Sequence, residues 1–144
     1  MQHAESFRDL VVYQKARAVA QRFFDISQQF PKEETYSLTD QGRRASRSVG
    51  AQIAEAWAKR RYERHFVSKL TDADGEQQET QHWIETALDC GYITEQTRDE
   101  LIDELQRIGR MLNSMMHKAD QFCGQPDTRI GEEVADYFLS PDNR

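Results

Sequence analysis

Three stretches of this chain carry an unbroken four-three alternation of positions, and a fourth comes close to it. The last stretch runs Leu101, Leu105, Ile108, Leu112, Met115, Ala119 and Phe122, and the first runs Val12, Ala16, Val19, Phe23, Ile26 and Phe30. A third is Phe66, Leu70, Ala73, Gln77, Thr80, Ile84 and Ala87; it keeps the spacing but sets two polar side chains where apolar ones are expected. The looser one, Leu38, Gly42, Ala45, Val49, Ile53 and Ala56/Trp57, lies in a segment rich in small residues. One residue per turn on the same side, with a period near 3.5, suits long helices that pack almost parallel. Joined by short loops, four such helices predict an all-α fold, an antiparallel up-down-up-down four-helix bundle. The bundle is expected over residues 1–123, with an acidic tail at 124–144.

A chain of 144 residues is one domain by length, and an apolar fraction of 38% is enough for a single core. A charged fraction of 31% with three prolines suits long solvated helices. No apolar run approaches the roughly 20 residues that cross a bilayer, and the N-terminus has no signal-peptide pattern, so no membrane partner and a cytoplasmic location are expected. Cys90 and Cys123 lack metal spacing and read as small apolar residues ending helices in a reducing compartment.

The net charge of −6 argues against a protein that simply coats nucleic acid. Charge is uneven, however: residues 1–64 hold 12 Lys/Arg against 8 Asp/Glu, and residues 65–144 hold 7 against 17. Such an asymmetry creates a local positive field on an acidic protein.

Helix boundaries follow from punctuation. Helix 1 is expected from about Phe7 to Gln29, stopped by Pro31. Ser37 and Asp40 have the spacing of a capping box, with Asp in place of Glu, so helix 2 is expected to start there. A charged turn leads into helix 3, Gly91 reads as its C-terminal cap, Thr94 as the N-cap of helix 4, and helix 4 is expected to end near Phe122.

Two basic groups are candidate sites. Lys59, Arg60, Arg61 and Arg64 fall in the charged turn with only Glu63 among them and with the stacking-capable Tyr62, the composition of a weak nucleic-acid contact; a merely solvated loop is the competing reading. Arg43, Arg44 and Arg47 either bind phosphate or form a structural charge layer with Glu76 and Glu79, which an antiparallel pairing of helices 2 and 3 sets level with them around Gln77 and Thr80. The tail carries Asp127, Glu132, Glu133, Asp136 and Asp142 against Arg129 and Arg144. It is expected either to run free or to mask the basic turn, docking by Ile130, Val134 and Phe138.

Catalytic signatures are missing. Glu79-x-x-His82 has the spacing of half a di-iron carboxylate site, but neither His65 nor His117 has a Glu three residues before it, so no metal is expected. No glycine loop or nucleophile motif occurs, and no enzyme activity or cofactor is expected.

Ordered motifs resemble one known family. Phe7-Arg8-Asp9-Leu10-Val11-Val12-Tyr13-Gln14-Lys15-Ala16, then Phe30-Pro31 through Gln41-Gly42-Arg43-Arg44-Ala45, Ile53-Ala54-Glu55-Ala56, and Gly91-Tyr92-Ile93 resemble the small bacterial proteins encoded in intervening sequences of 23S rRNA genes, also called the S23 ribosomal protein family. The similarity covers about residues 7–122. It implies a four-helix protomer assembling into a ring-like homopentamer. It also implies kinship with the accessory protein of diversity-generating retroelements, which binds a reverse transcriptase and RNA or DNA. The chain departs from the family pattern at Ser48-Val49-Gly50-Ala51-Gln52 and Ala56, and its acidity departs from the basic retroelement proteins. The expected function is a non-enzymatic oligomeric scaffold that contacts nucleic acid, or an enzyme acting on it, through the basic turn. The alternative is a protein-protein module acting through the tail.

Overall fold

The computed structural model of the protein describes residues 5–124 together with Tyr137 and Phe138. Four long helices, α1 (Val11–Ser27), α2 (Asp40–Ala58), α3 (Glu63–Asp89) and α4 (Glu95–His117), are followed by a single turn, α5 (Ala119–Phe122). The principal contacts run α1–α2, α2–α3, α3–α4 and α4–α1, so the long helices close into a bundle round one core. Among the described residues there is no strand, only an isolated antiparallel bridge between Leu10 and Phe138.

The apolar stripes are what the bundle buries. Every member of the α3 stripe, and of the stripe running through α4 and α5, is buried. In α1 the stripe is buried from Val12 to Phe23, while Ile26 and Phe30 pack on the core edge. Gln77 and Thr80 occupy their stripe positions inside the protein because their polar atoms are satisfied locally. Thr80 Oγ1 donates to the Glu76 carbonyl at 2.8 Å, and Gln77 Nε2 donates to Asp74 Oδ1 at 2.9 Å while Oε1 accepts from Gln81 Nε2 at 2.7 Å. Room for the Gln77 amide comes from Gly109 on α4: a Cβ there would lie 2.8 Å from Nε2. Buried polar groups are tolerated when hydrogen-bonded, and this layer meets that condition within α3 itself.

Helix ends partly depart from expectation. A separate 3-10 turn, Phe7–Asp9, precedes α1, and the capping box of this region is Ser6 with Asp9. Ser37 does not cap α2; it lies inside a π-helical turn, Thr35–Thr39, that continues into Asp40 with helical geometry throughout. A capping box needs an extended N-cap residue, and a chain arriving already coiled has none. Thr94 does cap α4, accepting from the Thr97 amide at 3.1 Å. Gly91, at φ 78°, closes α3, with the Tyr92 amide on the Ala87 carbonyl and the Gly91 amide on Leu88, a Schellman pair. Helix 4 breaks at Lys118 instead of running unbroken to Phe122.

Beyond Gly124 the described chain is Tyr137 and Phe138, and both are buried. The Tyr137 carbonyl accepts the Val11 amide at 2.6 Å, supplying one of the unsatisfied donors at the start of α1. Phe138 sits edge-on to Trp57, Tyr137 edge-on to Phe122, and the Tyr137 hydroxyl meets Ser114 Oγ. Ile130, Val134 and the tail charges between Asp127 and Asp136 lie outside the described residues, as do Asp142 and Arg144.

Candidate functional site

The turn between α2 and α3 exists because α2 ends in a tight coil of its own carbonyls. The Lys59 amide reaches the Glu55 and Ala56 carbonyls, the Arg60 amide that of Trp57, and the Tyr62 amide that of Lys59. Tyr62 is then extended and starts α3. This geometry turns Lys59, Arg61 and Arg64 to solvent and leaves Tyr62 58% exposed, beside His65 at 5.4 Å between ring centroids. Among the described residues none of Lys59, Arg60, Arg61 and Arg64 has an ion-pair partner, while Lys15, Arg22, Lys69, Arg98 and Arg107 all do. Exposed cations without carboxylates keep their field available to an incoming anion.

Arg60 differs from its three neighbours. Its guanidinium lies 3.5 Å from the Trp57 ring centroid, Nε donates to the Trp57 carbonyl at 2.9 Å, and its own carbonyl accepts the Gly124 amide at 3.3 Å. Burial lowers its pKa below the usual arginine value, an effect the nearby Cys123 opposes. Burial, followed by the Glu63 carboxylate, pushes the Cys123 thiol up to about 11, the reverse of what an activated thiolate needs. The sequence does not single out Trp57 as the partner of Arg60, although a three-residue spacing at a helix end was the available signal.

Two of the three arginines of α2, Arg43 and Arg47, turn to α1, and Arg44 does not. Arg43 Nε donates to Ser27 Oγ at 2.8 Å, and the Arg43 and Arg47 guanidinium groups lie 4.6 and 5.3 Å from the Phe24 ring. Arg44 is exposed and holds Gln41, and Glu79 accepts from Trp83 Nε1 at 3.1 Å. The expected layer of Arg43, Arg44 and Arg47 with Glu76 and Glu79 is therefore not a set of ion pairs: the guanidinium groups of Arg43 and Arg47 have the Phe24 ring of α1 within reach, and Arg43 the Ser27 hydroxyl as well. Only Arg44 is close enough to Glu76 to lower its pKa, and burial and Glu79, with a smaller push from Asp72, still raise it.

A carboxyl whose folded pKa is raised contributes stability below its unfolded value, near 4.3, and loses it as pH climbs through the folded value. Glu76→Gln is therefore expected to raise the melting temperature at neutral pH, with the gain vanishing below about pH 4, where both side chains are neutral. Thermal scans of both chains across that range check it.

A groove between α1 and α2 is lined by the small residues Ala16, Ala20, Ser46 and Gly50, with the exposed Arg17 and Arg47 at its edge. Glu79 and His82 do not converge on a common point: His82 packs edge-on to Trp83, while Glu79 is held by the indole N–H of the same residue. Among the described residues no group of three or more His, Cys, Asp or Glu side chains gathers at metal-binding distance. No described helix is long and apolar enough to cross a membrane.

This arrangement of bundle and turn has relatives. The sequence profile of the 23S rRNA-intervening sequence proteins matches residues 8–114. The chain belongs to that family. The matched span contains both basic groups and stops before α5 and the Tyr137–Phe138 pair. Among solved structures, it is similar to a protein of unknown function from the S23 ribosomal protein family of Bacteroides thetaiotaomicron. The two are 27% identical, with a TM-score of 0.68, over 74% of this chain and 96% of that one. No curated protein matches the chain. Neither the family's description nor that of the solved relative names an enzymatic activity.

Proposed function

We propose that this protein is a non-enzymatic, cytoplasmic, oligomeric scaffold that holds nucleic acid, or an enzyme working on it such as a reverse transcriptase, through the turn 59–64. The observation that carries this reading is the cluster of Lys59, Arg61 and Arg64, exposed and without ion partners among the described residues, round an exposed Tyr62 in a chain of net charge −6. Cations with a stacking ring are the elements of sequence-tolerant single-strand binding.

The bundle is read as up-down-up-down. Short connections at 59–62 and 90–94 favour antiparallel neighbours, and Lys69 Nζ on α3 reaching Gln52 and Glu55 of α2 supports it. The protomers are proposed to close into a ring, a homopentamer by family kinship. Support comes from the small, solvent-facing residues Ala51 and Ala58 on α2, which let a second copy approach closely. In a ring the turn is repeated on one face, so weak contacts act together.

Two measurements test this. Light scattering at micromolar concentration is expected to give about five times the 16.8 kDa chain mass, and a clean monomer overturns the ring. Binding of a short labelled single-stranded oligonucleotide is expected to weaken steeply with salt and to disappear when Lys59, Arg61 and Arg64 are replaced by Glu. Absence of binding at low salt overturns the nucleic-acid reading.

A further inference from the structure

The C-terminal aromatic pair and the basic turn share one side chain, Trp57. Phe138 packs edge-on to the indole, with centroids 6.2 Å apart, and the Arg60 guanidinium lies 3.5 Å from the centre of the same ring system. Trp57 is 7% exposed in this arrangement, and Phe138 is equally buried. The pair is anchored independently of Trp57, by the Val11 amide on the Tyr137 carbonyl, by the Tyr137 and Phe138 rings against Phe122, and by Lys118 Nζ 5.4 Å from the Tyr137 ring. The backbone of Arg60 is held as well, by the Gly124 amide. Of the four cations in the turn, Arg60 is the one that, among the described residues, lies against Trp57, the ring on which Phe138 packs.

We propose that the docked Tyr137–Phe138 pair is a clasp that keeps Arg60 stacked on Trp57 and so withholds one cation from the basic turn. Docked, the turn offers Lys59, Arg61 and Arg64. Released, Trp57 loses the ring that braces it, Arg60 swings to solvent, and the turn offers four positive charges to an anionic strand. A strand that engages Arg60 favours the released form, and by reciprocity anything that releases the pair tightens the strand. The effect on nucleic acid rests on the function proposed above; the effect on Arg60 does not.

The experiment compares the full chain, a chain ending at residue 136 and Phe138→Leu, each with and without Arg60→Ala. Phe138→Leu retains the backbone bridge and thins only the packing on Trp57, so it remains informative if truncation unfolds the protein. The first readout is modification by phenylglyoxal, followed residue by residue by mass spectrometry. Arg60 is expected to react several-fold faster in the truncated and Phe138→Leu chains, with Arg61 and Arg64 unchanged. Equal Arg60 rates in all folded chains overturn the clasp.

The second readout is the salt dependence of binding to a labelled oligothymidylate. Loss of the clasp is expected to raise affinity several-fold at low salt and to steepen the log–log slope by about 0.7, one further phosphate neutralised on a single strand. Both gains should vanish in the Arg60→Ala background. Equal gains with and without Arg60 overturn the clasp. Faster modification of Arg60 with no oligonucleotide bound by any chain supports the clasp and overturns the nucleic-acid reading alone.

Discussion

Replacing Gly42 by alanine is expected to destabilise the protein by about 3 kcal/mol, the upper end of the range for forcing a methyl group into a filled core. Gly42 lies on the buried face of α2 against the tip of the Phe23 ring, and a Cβ there would fall well inside contact distance of Cζ, Cε1 and Cε2. Phe23 has little freedom to yield. It is fully buried, and Phe30 packs edge-on against it at 6.0 Å. The two helices would have to separate, or the ring leave its rotamer, and either change disturbs a core packed to crystal density. Urea denaturation monitored by circular dichroism measures the loss. Phe23→Leu costs stability alone, but combined with Gly42→Ala it should cost less than the sum, because the shorter side chain vacates the space the methyl needs. Gly75 is the internal control. It lies in the interior of α3, and a methyl group added there would meet nothing within 4 Å, so Gly75→Ala should stabilise by about 0.5–1 kcal/mol through helix propensity. Equal effects at the two glycines would refute the steric account.

Phe122→Ala is expected to cost about 3–5 kcal/mol, the usual range for a buried phenylalanine. The ring stacks on Phe66 at 5.8 Å, meets Tyr137 edge-on at 5.5 Å and tilts against Phe138 at 6.3 Å. It thus joins the first turn of α3 to the C-terminal pair, and its removal takes away support from both. In a chain ending at residue 136 the same substitution should cost less, since two of its three aromatic neighbours are already gone. Thermal or urea unfolding of the four chains in this cycle decides the matter; strict additivity would show that Phe122 does not hold the C-terminal pair.

Much of the bundle was legible in the residues. The four-three stripes of α3 and α4 point to residues that are all buried, because a helix repeats so regularly that one residue per turn defines a face without knowledge of the neighbours. Gly91 and Thr94 were legible for a related reason: capping is settled by a few consecutive backbone groups. The start of α2 was misplaced because the π-helical turn Thr35–Thr39 carries the chain into the helix already coiled, and no local pattern announced that.

The candidate site divides along the same line. That Lys59, Arg61, Tyr62 and Arg64 face solvent follows from their place in a charged turn. That Arg60 does not follow them outward depends on the Trp57 ring beneath its guanidinium and the Gly124 amide on its carbonyl, and that Arg43 and Arg47 turn to Phe24 depends on which neighbouring helix offers a face to their guanidinium groups. The chain by itself determined what can be set by repetition and by short range: which faces are apolar, where the chain turns, and where charge accumulates. Only the tertiary structure decided which partner each long side chain takes, because an arginine or a terminal phenylalanine reaches several elements, and its choice is a competition among contacts worth about a kilocalorie per mole each. Those contacts exist only once the helices have packed.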